Sequence, residues 1–292
     1  MKIPTLFLAL AVSTACFAGE SPELVWETTG FISPESVVFD ASRNEFFVSN
    51  LGARGKEAAP GDGFISRVSA EGKILELKWA TGLDNPKGLA LANGHLYAGD
   101  DPGLVEIDLA DGKIVTRHSP DDGPGAFNDC TADGEGNVYV CSGRLNTVFR
   151  LHAGKFEPWY KLDLSKTGSL NGLRAEKDRL LLGGWSVRAA DGKEQLGHIS
   201  TVSYQDQALG RIGDQPLCHV DGLEPDGQGG YTVTDWLTGD LLHVTADGKS
   251  TPVMKLVRGS ADHTYLASKQ LLVIPLMLND ALRAYRWAPP AR

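Results

Sequence analysis

Glu35, Lys87, Asn128, Asn171, Asp221 and Asp262 head six similar stretches of the chain, at steps of 52, 41, 43, 50 and 41 residues. Three are carboxylates, two are carboxamides and one is an ammonium group. Carboxylate and amide oxygens are hard donors, the set that suits calcium, with magnesium or zinc as alternatives. If these side chains meet, their like charges are costly unless a cation or hydrogen bonds offset them. A metal-free arrangement stays open, in which Lys87 pairs with Glu35 and Asp262. So does a local one, since Asn and Asp before Gly or Ser often satisfy nearby backbone groups at strand starts.

Meeting requires a scaffold, and the repeat supplies one. The stretches read "PESVVFDASRNEFFVSN", "PKGLALANGHLYAGD", "FNDCTADGEGNVYV", "LNGLRAEKDRLLLGGW", "VDGLEPDGQGGYTVTDW" and "ADHTYLASKQLLVIPLM". Each runs from a polar head through a strand and a turn into a second strand, and two further strands follow. In the fifth unit the four are "GLEPD", "GYTVTDW", "DLLHVTA" and "TPVMKLV", separated by Asp-Gly and Thr-Gly turns. Short strands at a period near 40 residues predict an all-β, six-bladed β-propeller. The two long steps hold Gly- and charge-rich insertions at 50–63 and 187–197, expected as loops. The last unit lacks its fourth strand. "ELVWETTG" (23–30) is expected to supply it, closing the ring and covering a sheet edge. The innermost strand of each blade lines the axis, so the six polar heads should converge there.

The first twenty residues, "MKIPTLFLALAVSTACFAGE", place a Lys before an apolar run and small residues before Gly19. Residues 1–18 read as a cleaved secretory signal, leaving 19–292 as one propeller domain in the periplasm or outside the cell. A lipoprotein reading through Cys16 fits less well, because Ser13 stands where a branched apolar residue is wanted. No later stretch is long and apolar enough to span a bilayer. The formal net charge of −9 argues against a nucleic-acid partner and for a small molecule or a cation. Cys130 and Cys141 flank one hairpin, so either a cross-strand bridge or two buried free thiols is open.

The heads "SPESVVFD", "FNDCTADGEG", "LNGLRAEKD" and "VDGLEPDGQG" resemble the senescence marker protein-30/gluconolactonase/luciferin-regenerating group of six-bladed propellers, and the resemblance spans residues 19–292. It implies a divalent cation, often calcium, held by Glu35, Asn171 and Asp221. It also implies a substrate contact at Asn128, opening of lactones or related esters, and Asp221 as the residue that activates water. Gluconolactonase-type members often carry an Arg two residues before the Asn-Asp pair, where this chain has Ala126, so the substrate is not fixed. In this reading Asp221, Asn128 and Lys87 carry the chemistry, with Lys87 as a second electrophile. Trp185, Trp236 and His263 are candidate substrate contacts. Alternation along the strand points His263 away from the axis, and inter-blade packing explains the two indoles equally well. No Gly-x-Ser-x-Gly elbow, phosphate loop or dinucleotide fingerprint is present. The competing reading is a non-catalytic propeller that binds a small ligand or a protein, its channel neutralised by Lys87.

Overall fold

The computed structural model describes residues 21–121, 123–189 and 191–290. The expected signal segment 1–18 lies outside them. Six antiparallel sheets follow one another along the chain. The first blade comprises strands Pro34–Asp40, Glu45–Asn50, Gly63–Ser69 and Ile74–Leu83, and the second Leu89–Ala92, His95–Gly99, Leu104–Asp108 and Ile114–His118. The third comprises Phe127–Ala132, Val138–Ser142, Thr147–His152 and Lys155–Lys161. The fourth is Ser169–Ala175, Arg179–Arg188, Ile199–Ser203 and Leu209–Ile212, and the fifth Val220–Pro225, Tyr231–Asp235, Asp240–Val244 and Ser250–Lys255. The sixth blade takes only Thr264–Leu266, Leu271–Leu276 and Ala281–Arg286 from the C-terminal end.

Glu23–Thr29 is the missing outer strand. It pairs antiparallel with Ala281–Arg286, from Glu23 opposite Arg286 to Thr29 opposite Ala281. A strand from the start of the chain therefore completes the last sheet. On the inside the ring is closed by a parallel bridge between Ser36 and Asp262, where the Asp262 N–H donates to the Glu35 carbonyl at 3.0 Å.

The core is divided as the ring is. Six apolar clusters form, one between each neighbouring pair of blades. Strand alternation feeds them: Phe46 packs toward the sixth blade and Phe47 toward the second, both fully buried. Each such ring contributes about 1.5–3 kcal/mol by burial, so Phe46→Ala would weaken the closing interface rather than one blade alone.

One insertion differs from the loop expected above, and the thiol alternatives resolve to one. The 187–197 insertion is a hairpin: Arg179–Arg188 continues past its blade and pairs with Glu194–Leu196. Cys130 and Cys141 are free and buried. Cys130 lies opposite Val140, so Cys141 faces the other side of the blade. One thiol donates to Gly88 O at 3.0 Å toward the second blade, the other to Asn171 O at 3.4 Å toward the fourth. Opposite faces of one sheet cannot be bridged by a disulfide.

Candidate functional site at the channel head

The same irregularity opens four of the inner strands. Between strands one and two, the register slips across Pro34/Val37, Phe127/Cys130, Leu170/Leu173 and Val220/Leu223. Three steps on the inner strand match two on its neighbour, which is a β-bulge, and bulges re-aim side chains. The bulged pairs are Glu35-Ser36, Asn128-Asp129, Asn171-Gly172 and Asp221-Gly222. Their first members are four of the six heads read from the sequence. The second members explain the glycines. A Cβ on Gly88 would lie 2.4 Å from Asp129 Cα, one on Gly172 2.5 Å from Asp221 O, and one on Gly222 2.7 Å from His263 N. Neighbouring inner strands nearly touch at this level, and only a hydrogen fits between them.

The approach links three of the heads, Asn128, Asn171 and Asp221, in one network. Asn128 Nδ2 donates to Asn171 Oδ1, and Asn171 Nδ2 donates to Asp221 Oδ2 at 2.6 Å. Glu35, Asn171 and Asp221 are all buried. Yet four oxygens here, Glu35 Oε2, Asn128 Oδ1, Asp129 Oδ1 and Asp221 Oδ1, are enclosed with no hydrogen-bond donor. Buried acceptors are rarely left so, and each one costs free energy.

The electrostatics agree. Burial pushes the Glu35 carboxyl up to about 8, with the Asp262 charge adding and Lys87 opposing. Burial raises Asp221 well above the ordinary carboxylate range, and Glu35 and Asp262 push it further. Asp129 is raised in the same way by burial and then by Asp262, Glu35 and Asp221. Asp262 rises to about 7 by burial, against a 2.6 Å hydrogen bond from Ser36 Oγ. This is a site short of positive charge. Calcium or magnesium would suit its oxygens, with Glu35, Asn171 and Asp221 as the protein donors. Among the described residues no three His, Cys, Asp or Glu side chains converge on a metal position. Any cation here depends on amide oxygens as well as carboxylates.

Asp129 was not read from the sequence as part of this site. The signal was there: at its position in the repeat the other units carry Ser36, Gly88, Gly172, Gly222 and His263, so a carboxylate stands out. Below the heads, a cavity of ≈ 200 Å³ is lined from all six inner strands, among them by Val37, Ala90, Thr131, Arg174, Glu224 and Asp262. It marks the axis. Arg174 donates to Glu224 Oε1 there at 2.7 Å.

The remaining candidates separate. Lys87 Nζ does not pair with Glu35 or Asp262; it donates to Asp101 Oδ1 at 3.0 Å and to Phe127 O at 3.2 Å. That removes the pairing on which a Lys87-neutralised channel depended, although its charge still acts on Glu35. His263 points away from the axis and lies between the fifth and sixth blades, 1% exposed, with Nε2 2.8 Å from Thr232 Oγ1. Burial lowers its pKa to about 3. A ring so enclosed is placed for packing and not for touching a substrate. Trp185 and Trp236 are half-buried, 6.2 Å apart between ring centroids, at the end of blades four and five from which Asn171 and Asp221 project. His219 meets Trp185 edge-on at 5.4 Å.

No protein-family profile matches the chain, and no curated protein matches it in sequence. Solved structures do match it in shape. A gluconolactonase from Xanthomonas campestris superposes with a TM-score of 0.67 at 15% identity, over 96% of this chain and 99% of that one. A protein described as a putative gluconolactonase gives 0.65 at 15% identity, over 92% of each chain. Virginiamycin B lyase from Staphylococcus aureus gives 0.62 at 11% identity, over 89% of this chain and 98% of that one. The chain therefore has an all-β six-bladed propeller fold whose structural neighbours include gluconolactonases.

Proposed function

We propose that this protein is an exported, metal-dependent hydrolase of the lactonase or esterase type, a divergent relative of the senescence marker protein-30/gluconolactonase group. The observation that carries the proposal is the set of buried oxygens at the channel head that no donor satisfies. A hydrolase using a hard cation needs such a set, and a self-neutralised structural channel does not. Glu35, Asn171 and Asp221 would hold the ion. When bound, it supplies Lewis acidity toward a carbonyl oxygen and lowers the pKa of water. Export rests on residues 1–18 as a signal segment.

The chain's own groups divide the rest of the work. Asn171 fixes Asp221 by hydrogen-bonding Oδ2, which leaves Oδ1 free to take a proton from the attacking water. As the water oxygen bonds to the carbonyl carbon and the C–O bond to the leaving alkoxide breaks, that proton passes to the alkoxide. Asn128, held against Asn171, has a second N–H to orient the carbonyl and stabilise charge developing on it. Lys87, anchored by Asp101, adds positive charge at the wall.

The experiment is metal analysis of purified protein with turnover of simple lactones and esters, on wild type, Asp221→Ala and Lys87→Ala. Wild type should bind one divalent cation per chain and hydrolyse at least one ester class. Asp221→Ala should lose the cation and about 10²–10⁴-fold in rate, while Lys87→Ala keeps the metal. A wild-type protein that takes up no divalent cation, and whose Tm calcium leaves unchanged, would sink the reading and favour a ligand-binding propeller.

A further inference from the structure

The second strand of a blade finishes opposite the start of the inner one, as Asn50 does opposite Pro34, Ser142 opposite Phe127 and Asp235 opposite Val220. The connection from second to third strand therefore lies at the end of the ring that carries the heads. In blades two, three, five and six it is a four-residue turn, at 100–103, 143–146, 236–239 and 277–280. Blades one and four differ. Blade one uses 51–62, and blade four continues Arg179–Arg188 past its pairing with Ile199–Ser203 into the ribbon with Glu194–Leu196. Both additions are braced. Arg54 donates to Met277 O at 2.6 Å and to Asp280 Oδ2 at 2.9 Å on blade six, and Gly61 N donates to Asp84 Oδ1 at 2.8 Å in the link to blade two. In the ribbon, Ser186 Oγ donates to Glu194 Oε1 at 2.5 Å. Blades one and four stand three apart in either direction around a ring of six, so the two additions face each other across the mouth.

Two opposed lips with low turns between them make a trench and not a round mouth. One open end lies over blades two and three, the other over blades five and six, and the unsatisfied head oxygens lie between them. Each end carries a cationic donor. Lys87 stands at the first, and Arg258 at the second, 5.2 Å from the centre of the Trp236 ring. Carbonyl oxygens spaced along a chain can accept from such groups. From this arrangement we infer that the site takes linear esters that extend on both sides of the reacting carbonyl, with oligoesters of hydroxy acids as the class. A compact lactone fills only the centre of the trench and forgoes the contacts at both ends, which a longer chain spends on holding its carbonyl at the head. This inference rests on the hydrolase reading for its chemistry, but the binding of a chain can be measured without turnover.

The test compares γ-butyrolactone with the linear trimer of 3-hydroxybutyrate as substrates of calcium-loaded protein. The trimer should exceed the lactone by at least about tenfold in kcat/KM. Gly143→Trp places an indole on the low turn of blade three, where an added Cβ meets nothing within 4 Å. It should raise KM for the trimer by about tenfold and leave the lactone within about twofold. Replacing 188–194 by Asn-Gly closes the ribbon at the Val187–Gln195 pair and lowers one lip. The trimer should then lose about fivefold in kcat/KM, with the lactone again within about twofold. Preference for γ-butyrolactone, or equal effects of the variants on both compounds, overturns the inference and leaves the hydrolase reading intact. If neither compound is hydrolysed, the hydrolase reading falls, and the trench is judged by calorimetric binding of the 3-aminobutyrate trimer, the uncleavable amide analogue. Saturable binding that Gly143→Trp weakens by about tenfold supports it. No binding, or binding that Gly143→Trp leaves unchanged, refutes it.

Discussion

Asn171 and Arg174 lie three residues apart on one inner strand, and so do Asp221 and Glu224 on the next. At the upper level the two strands present an amide and a carboxylate, and the Asp221 Oδ1 acceptor has no donor. At the lower level they present a guanidinium and a carboxylate joined at 2.7 Å. Both levels bury charge. Burial raises Glu224 to about 7 against the pull of Arg174, whereas Asp221 is raised well above the usual range with only an amide N–H opposing. The lower level carries its own countercharge and acts as a spacer that holds two blades together. The upper level lacks one, and this is the difference that the proposed cation would offset.

The largest test of the comparison is to neutralise each level in turn. Asp221→Asn keeps the shape and can still accept the Asn171 hydrogen bond, so it should stabilise the cation-free protein by about 1–3 kcal/mol while abolishing calcium binding. Glu224→Gln strips Arg174 of its charge partner and should destabilise by about 1–3 kcal/mol with calcium binding retained. Denaturant melts with and without calcium read both signs. If the two substitutions shift stability in the same direction, the two levels do not differ in kind.

A smaller effect follows from pH. The Glu35 carboxyl stands at about 8 in the folded chain against an ordinary value of 4.5, and Asp262 at about 7 against 3.8. Both are raised, so between roughly pH 4 and 8 the native state keeps protons that the unfolded state has lost, and cation-free stability declines across that window. A cation displaces those protons, so its affinity climbs over the same range. The Tm gain from calcium should therefore be greater near pH 8.5 than near pH 5.5. A gain that does not change with pH would mean that the ion sits elsewhere.

The ring could be read from the sequence because each blade restates its turns and alternation, and the closing strand because a blade was visibly one strand short. The heads were legible for the same reason. The bulges were not, since each inner strand has only one or two residues before its extra residue, too few for a break in alternation to show. For that reason Asp129 passed as the companion of Asn128, although it too is buried with an unsatisfied oxygen. The partner of Lys87 was hidden as well. Asp101 follows the end of the neighbouring strand of the same blade, and nothing in a linear motif says which of several nearby carboxylates a flexible ammonium group will reach. Alternation did place His263 away from the axis, and its ring lies against Thr232 of the fifth blade.

Ser36 offers the finest test, because it stands where the two levels meet. Its hydroxyl donates to Asp262 Oδ2 at 2.6 Å and accepts from Leu89 N at 3.3 Å. Asp262 thus has one donor, like the lower level, but it also lines the channel and feels the burial of the upper one. Ser36→Ala removes that donor without altering the backbone bridge between the two strands. The stability cost should be about 1–3 kcal/mol, the net worth of the two hydrogen bonds that the hydroxyl makes. Calcium affinity tells the two assignments apart. If Asp262 belongs with the paired lower level, affinity stays within about twofold. If Asp262 contributes field to the cation, losing its competing donor frees the carboxylate, and calcium binds more tightly as stability falls. Opposite movement of the two quantities would extend the unsatisfied level by one residue and shift its boundary with the spacer below.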